Sequence, residues 1–337
     1  MKIALVTGSY PPETCGIGDY TCQLAKALSG QGLDVEVVKR RNWSIGQTAG
    51  IIGSIKALGP DIVHIQYPTA GFGWHLTPHI LSLLMPAVIT LHEVTEAHIL
   101  RKLSLYPFTL RSRQVIFTTP YEREFALKRA PWIADRSSVI PIGSNITIGP
   151  ANRSRALSEI VYFGLFRPNK GIEQVLSLAA LVMEQNLDYR IRMIGKPFPK
   201  DSPFYGELQE RSRNLPVLWN ADLDDTAVAE LLSTAAFAYM PFPDGASGRR
   251  GSLLALLANG VATVTTKGAH TQASLDEAVL YSRTPEQALS LIQQLRCNDS
   301  GREQLSGKAR TYASQFDWDV IARKHREIYV ALAAATR

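Results

Sequence analysis

Arg167-Pro-Asn-Lys170-Gly171 puts two cations into one short turn. An apolar run over residues 160–164 precedes it with the pattern of a buried strand, and an amphipathic run over 172–183 follows with the pattern of a helix. Cations between a strand end and a helix start suit a phosphate: their side chains give charge-assisted hydrogen bonds, and the first helical turn adds unpaired backbone N–H groups. An ordinary surface turn is the plainer reading, but the flanking Gly164 and Gly171 favour phosphate. A second segment, 241–252, carries Asp244, Gly245, Ser247, Gly248, Arg249, Arg250, Gly251 and Ser252 and opens another helix after a strand. Two arginines beside a helix start make an anion site, against the alternative of a mobile surface loop. Asp244 is the carboxylate there that could meet sugar hydroxyls. A third junction, with Gly16 and Gly18 before Asp19, allows close approach of a diphosphate or an ordinary turn in which Asp19 starts a helix. Its spacing is not the dinucleotide fingerprint.

His92, next to Glu93, ends an apolar run and could hydrogen-bond a substrate hydroxyl, or be a satisfied strand-end histidine; His64, inside 62–66, reads as structural. No metal-ligand spacing is present, and no nucleophile–base pair stands out. Gly8-Ser9-Tyr10 does not resemble a nucleophile elbow.

The elements that must position these residues alternate. Strands are expected at 3–7, 35–38, 62–66, 87–91, 114–118 and 138–142, with helices at 19–28, 51–58 and 77–84. The rhythm restarts with strands at 160–163, 190–194, 216–219, 236–240 and 261–265, and helices at 172–183, 226–232, 252–258 and 285–295. Residues 316–334 read as one or two further amphipathic helices. Such alternation predicts parallel, doubly wound sheets, with ligands at the C-terminal strand ends. Gly8, Gln66, His92, Arg167, Gly195 and Asp244 all fall at such ends, which predicts one cleft between two domains. The polar stretch 143–155 is the expected boundary.

A chain of 337 residues, 45% hydrophobic and 20% charged, suits two globular domains. Three cysteines, Cys15, Cys22 and Cys297, cannot all pair, and no signal-peptide pattern is seen, so a reducing cytoplasmic setting is expected. The net charge of +6 draws on Lys39-Arg40-Arg41, Arg101-Lys102, Arg111, Arg113 and Lys128-Arg129. This is either a solvated surface or an attraction to an anionic partner; no nucleic-acid module is present.

Taken in order, these motifs resemble the retaining glycosyltransferases of family 4. Tyr10-Pro-Pro with Gly16-Ile17-Gly18-Asp-Tyr resembles their N-terminal loop and first helix, and Asp61-Ile-Val-His-Ile-Gln66 and Val88-Ile-Thr-Leu-His92 their inner strands. Val139-Ile-Pro-Ile-Gly143-Ser-Asn145 resembles the interdomain segment, Phe163 to Gly171 the diphosphate loop, Ala258-Asn-Gly260 the end of the donor helix, and Phe316-Asp-Trp318 the C-terminal crossover. The resemblance implies a GT-B fold: two Rossmann-like α/β domains, 1–150 for acceptor and 151–315 for donor, with a helix at 316–337 returning to the first. It implies that Gly16 and Ile17 meet the distal donor phosphate, that His92 touches the donor sugar, and that Arg167 and Lys170 neutralise the leaving diphosphate. Arg249, Arg250, Gly251 and Ser252 would join them, and Gly195, Leu218, Trp219 and Asn220 would line the base pocket.

It further implies a nucleotide-sugar donor, a saccharide or lipid-linked acceptor in surface polysaccharide or glycolipid synthesis, no metal and no cofactor. Peripheral contact with an anionic membrane at its inner face is a further expectation. One departure stands out. The family's two glutamates, eight positions apart, correspond to Ser247 and Ala255 here, leaving Asp244 as the substitute. A second is Leu165, where relatives place the arginine that here lies at 167. A GT-B epimerase and a non-catalytic nucleotide-sugar binder are the alternatives.

Overall fold

The computed structural model describes residues 1–13, 15–92, 94–95, 102, 105–144, 146–150, 154–197 and 201–335. Glu93, Arg101, Asn145 and the expected domain start at 151 lie outside the described residues. Met1–Asn145 together with Asp317–Arg337 form one compact unit, and Ile146–Phe316 form the other.

The first unit runs β1 (Lys2–Val6), α1 (Gly16–Gly30), β2 (Asp34–Val38), α2 (Thr48–Ala57), β3 (Ile62–Tyr67), α3 (Thr77–Leu84), β4 (Ala87–Leu91), α4 (Tyr106–Arg111), β5 (Gln114–Phe117), α5 (Pro120–Leu127) and β6 (Ser137–Val139). Its sheet is parallel throughout, in the order β2-β1-β3-β4-β5-β6. The second unit runs β7 (Ala156–Phe163), α6 (Ile172–Glu184), β8 (Arg190–Gly195), α7 (Ser202–Arg211), β9 (Val217–Ala221), α8 (Asp225–Thr234), β10 (Ala235–Met240), α9 (Gly251–Ala258), β11 (Ala262–Thr265), β12 (Leu280–Tyr281), α10 (Pro285–Arg296) and α11 (Asp299–Ser314). Its sheet, also parallel, is ordered β12-β11-β10-β7-β8-β9. The order reverses between β7 and β10, and ligands of such sheets bind beyond that reversal.

Several elements depart from the sequence reading. α1 begins at Gly16 rather than 19, so Gly16 and Ile17 sit in its first turn instead of a preceding loop. The strand expected at 138–142 ends at Val139. α4, α5, α7 and α11 were not anticipated, because short or strongly polar helices carry little periodic signal. The caps of α5 and α11 were nonetheless written in the chain: Thr119 accepts from the amide of Glu122, and Asn298 from that of Gly301.

β3 is buried at every position, as a parallel strand covered on both faces must be. Alternation sends Val63, Ile65 and Tyr67 into a cluster with Trp43, Phe72 and Phe108, and Ile62 into one with Leu24, Leu28 and Tyr329. His64 and Gln66 share the face of Ile62 and need partners there. His64 Nδ1 lies 2.6 Å from the hydroxyl of Tyr329 on the C-terminal helix Trp318–Ala334, and its Nε2 lies 2.8 Å from Thr90 Oγ1 and 3.2 Å from Gln66 Nε2. Gln66 Oε1 is 2.8 Å from His92 Nε2. One consistent assignment has His64 donating to Tyr329 and accepting from Gln66, while His92 donates to Gln66.

Burial, with His325 and His92 nearby, holds His64 well below its ordinary value of 6.5. His325, on the same C-terminal helix, is pushed by burial down to about 4 and donates to the carbonyl of Ile321. Both rings are therefore neutral in the fold and take up protons on unfolding. Stability from this pair is complete above pH 6.5 and falls as pH drops from 6.5 toward 4. We expect urea-unfolding stability to fall between pH 7 and pH 5, by on the order of 2 kcal/mol for His325 alone, and His325→Leu to flatten that slope. A slope unchanged by that substitution would contradict the assignment.

Candidate anion-binding site

The reversal point of the second sheet brings two of the predicted segments together. β7 runs into the loop carrying Arg167 and Lys170, and β10 into the loop carrying Asp244, Arg249 and Arg250. Asn169 and Gly171 turn the first loop through φ of 61° and 75°. A Cβ at 171 would stand 1.9 Å from the carbonyl oxygen of Pro241, so only glycine lets the loops meet this closely. The second loop is held rather than mobile. Ala246 N donates to Thr266 O at 2.9 Å, Thr271 Oγ1 donates to Ala246 O at 2.7 Å, and a Cβ at Gly245 would stand 2.3 Å from Gly268 N.

This packing crowds cations. Half-burial holds the Lys170 ammonium below the ordinary lysine value; Arg250 and Arg167 push the same way, and Asp244 opposes them. Arg250 is ion-paired with Asp244, and its guanidinium lies over the Phe242 ring, 4.8 Å from the centroid. Arg167 Nε donates to Asp201 Oδ2 at 2.8 Å. Three cations thus sit among two carboxylates, and an arriving anion would relieve the repulsion that Lys170 feels. α9 begins at Gly251, whose missing side chain leaves open space, so the first amides of Gly251 and Ser252 supply oriented donors at the end of the same loop. Behind them Leu253, Leu254, Ala255, Leu256 and Leu257 are all buried. Ala255 is 0% exposed and places no carboxylate at the site.

Arg167, Lys170, Asp244 and Arg250 are therefore brought together, with Arg249 and the α9 start alongside. Asp201 was missed by sequence reasoning because it lies 34 positions from the arginine it binds. The expected base-pocket residues are not on one surface. Gly195 closes β8 against Gly164, where a Cβ would stand 1.8 Å from the carbonyl oxygen. Leu218, Trp219 and Asn220 are consecutive on β9, and strand alternation turns Trp219 to the opposite face from its neighbours. Trp219 packs edge-on to Phe166 and Tyr205 and donates to Ser212 Oγ at 3.0 Å, whereas Asn220 Oδ1 accepts from Arg192 at 2.9 Å.

The remaining predicted residues belong to the first unit. Gly16 and Ile17 present first-turn amides of α1, and a Cβ at Gly16 would meet nothing within 4 Å. His92 is buried, bonded to Gln66 and edge-on to Tyr20, with ring centroids 4.7 Å apart. Among the described residues, no group of three or more His, Cys, Asp or Glu side chains could hold a metal ion.

Residues 37–147 match the family model described as Glycosyltransferase Family 4. No curated protein sequence gives a significant match. Among solved structures, the chain is similar to a glycosyltransferase from Rickettsia africae, with 15% identity, TM-score 0.75 and 98% of each chain covered. It is similar to sucrose-phosphate synthase from Thermosynechococcus elongatus, with 18% identity, TM-score 0.69, and 99% of this chain and 100% of that one covered. It is also similar to Anabaena HepE in complex with UDP, with 16% identity, TM-score 0.69, and 98% and 100% covered. The GT-B fold expected from the sequence is thus borne out, and residues 37–147 are similar to the family 4 glycosyltransferases named in the sequence reading.

Because Gly171 combines positive φ with a backbone contact, Gly171→Ala is expected to destabilise the protein by about 2–4 kcal/mol. Chemical denaturation measures this; a loss below about 0.5 kcal/mol would contradict the loop contact.

Proposed function

We propose that the protein is a retaining glycosyltransferase that moves a sugar from a nucleotide-sugar donor to an acceptor hydroxyl. The carrying observation is the crowded cation group of Arg167, Lys170 and Arg250, beside the start of α9, at the reversal point of the second sheet. As the bond between the sugar C1 and the diphosphate oxygen breaks, negative charge collects on the leaving diphosphate. Fixed cations and helix-start amides stabilise that charge without reorganising. The bond from C1 to the acceptor oxygen forms on the same face, and the acceptor proton passes to a departing phosphate oxygen. No side-chain base is needed for that transfer. HepE in complex with UDP and with UDP-glucose supports uridine diphosphate as the carrier.

Asp244 stands nearest to the role of the absent glutamate at 247, while the buried Ala255 leaves ribose recognition to other groups. Gly16, Ile17 and His92 are proposed donor contacts of the first unit, and Gly195 and Asn220 base contacts of the second; Leu218 and Trp219 cannot share one face in that role. A saccharide or lipid-linked acceptor in surface polysaccharide or glycolipid synthesis is proposed at a cytoplasmic site. Peripheral membrane contact is supported by exposed Trp74, Leu84, Leu110 and Trp132 on the first unit, together with Arg111 and Arg129. No described helix is long and apolar enough to cross a membrane. The apolar α9 also favours a second reading, a nucleotide-sugar binder without turnover.

Thermal shift with UDP, GDP, UMP and uridine in chelator tests the donor site. We expect UDP to raise Tm by a few degrees and uridine to leave it unchanged, since recognition rests on the diphosphate. A flat panel overturns the proposal. Arg167→Ala is expected to lower turnover about 100-fold with Tm nearly unchanged; binding of UDP with no turnover of any donor by the wild type would favour the second reading.

A further inference from the structure

Arg167 is held by a carboxylate that its own helix does not use. Asp201 occupies the N-cap position of α7, where an aspartate ordinarily accepts from its own first-turn amides, yet its side chain makes no such capping bond. Its Oδ2 instead accepts from Arg167 Nε at 2.8 Å, with the Asp201 side chain 15% exposed and that of Arg167 33% exposed. The pair ends a series of links between the loops after β7 and β8. Phe166 N donates to Lys196 O at 2.9 Å, Phe166 forms a β-bridge with Pro197, and its ring stacks on Tyr205 of α7, with centroids 5.2 Å apart. Phe166 therefore fixes the backbone on which Arg167 sits, and Asp201 fixes the guanidinium that leaves it.

We propose that Asp201 is a positioning residue for Arg167, and so for recognition of the donor diphosphate; this rests on the donor reading above. The reason is geometric and electrostatic. Lys170 shares the region with Arg167 and repels it, so a guanidinium without an anchor would be driven away from that lysine. An acceptor on Nε fixes the plane of the guanidinium, and with it the direction of both terminal nitrogens, before the ligand arrives. Holding a long side chain in advance removes an ordering cost that each binding event would otherwise bear. An exposed ion pair would contribute almost nothing of this kind. This one is largely screened from solvent on the carboxylate side, and its anchor sits at the start of α7.

The test uses the full chain and calorimetric binding of UDP. Asp201→Asn should weaken UDP binding about three- to tenfold, and should change it less than about twofold in an Arg167→Ala background, because the effect runs through that arginine. Asp201→Ser, which is as good an N-cap, should keep Tm while losing the same affinity. The Arg167 Nε–H signal, assigned by its loss in Arg167→Lys, should exchange slowly in the wild type and quickly in Asp201→Ser. Unchanged or tighter UDP binding in both Asp201 variants, or equal losses with and without Arg167, would overturn the positioning role and leave the donor reading standing. A wild type that binds no UDP, although its Arg167 signal is protected, would overturn the donor reading instead, and with it the role of Asp201 in recognition, though not the pairing itself.

Discussion

The second unit turns on a close backbone approach that only glycine permits. With Gly171 at φ of 75° and no Cβ to strike Pro241, the loop after β7 lies directly against the loop after β10. Lys170 precedes that glycine and Arg250 lies at the end of the other loop, so the approach forces like charges together. Asp244 of the second loop offsets only part of this repulsion. The cost is borne by hydrophobic packing behind it, where β7, β10 and the leucine-rich α9 share one core. A site that repels itself when empty and gains when an anion enters is the arrangement expected of preorganised phosphate recognition.

The first unit spends its buried polarity differently. His64, Gln66, Thr90 and His92 form a hydrogen-bonded series along the face of the sheet that also packs the C-terminal helix, and Tyr329 ties that helix into it. A buried histidine kept neutral is costly unless each nitrogen finds a partner, and the series satisfies His64 completely. His92 joins it through Nε2, so its ring orientation is set from within the unit. That gives a proposed sugar contact at 92 a fixed direction, and explains how one residue can be both a satisfied strand-end histidine and a candidate for substrate contact.

Much of the fold was legible because buried parallel strands write continuous apolar runs, and their spacing by helical segments fixes a doubly wound sheet. The Arg167–Lys170 loop was legible for a local reason: its cations, its glycine and both flanking elements are contiguous. What was not legible depended on a long sequence separation or a small phase difference. Asp201 reaches Arg167 across 34 residues, and no local pattern marks it. Leu218, Trp219 and Asn220 looked like one lining, but a strand period of two sends neighbours to opposite faces. Gly16 looked like loop because glycine is a poor helix former, yet it opens α1, where a first-turn amide has no helical partner to lose.

Ala255 shows why the departure from the glutamate pattern need not dismantle the site. The position lies inside a helix whose neighbours are all buried leucines. A carboxylate there would have to find hydrogen bonds at all times, or cost several kcal/mol of desolvation whenever ligand was absent. Alanine removes that cost and lets the middle of α9 pack as an apolar stretch. In the proposed donor site, recognition would then shift toward the diphosphate, where three cations and the helix start would act on the group that carries the charge. Under the proposed distribution the direction of each guanidinium matters more than in a site steadied from the ribose end, and a carboxylate that holds Arg167 Nε would then serve recognition rather than the surface alone.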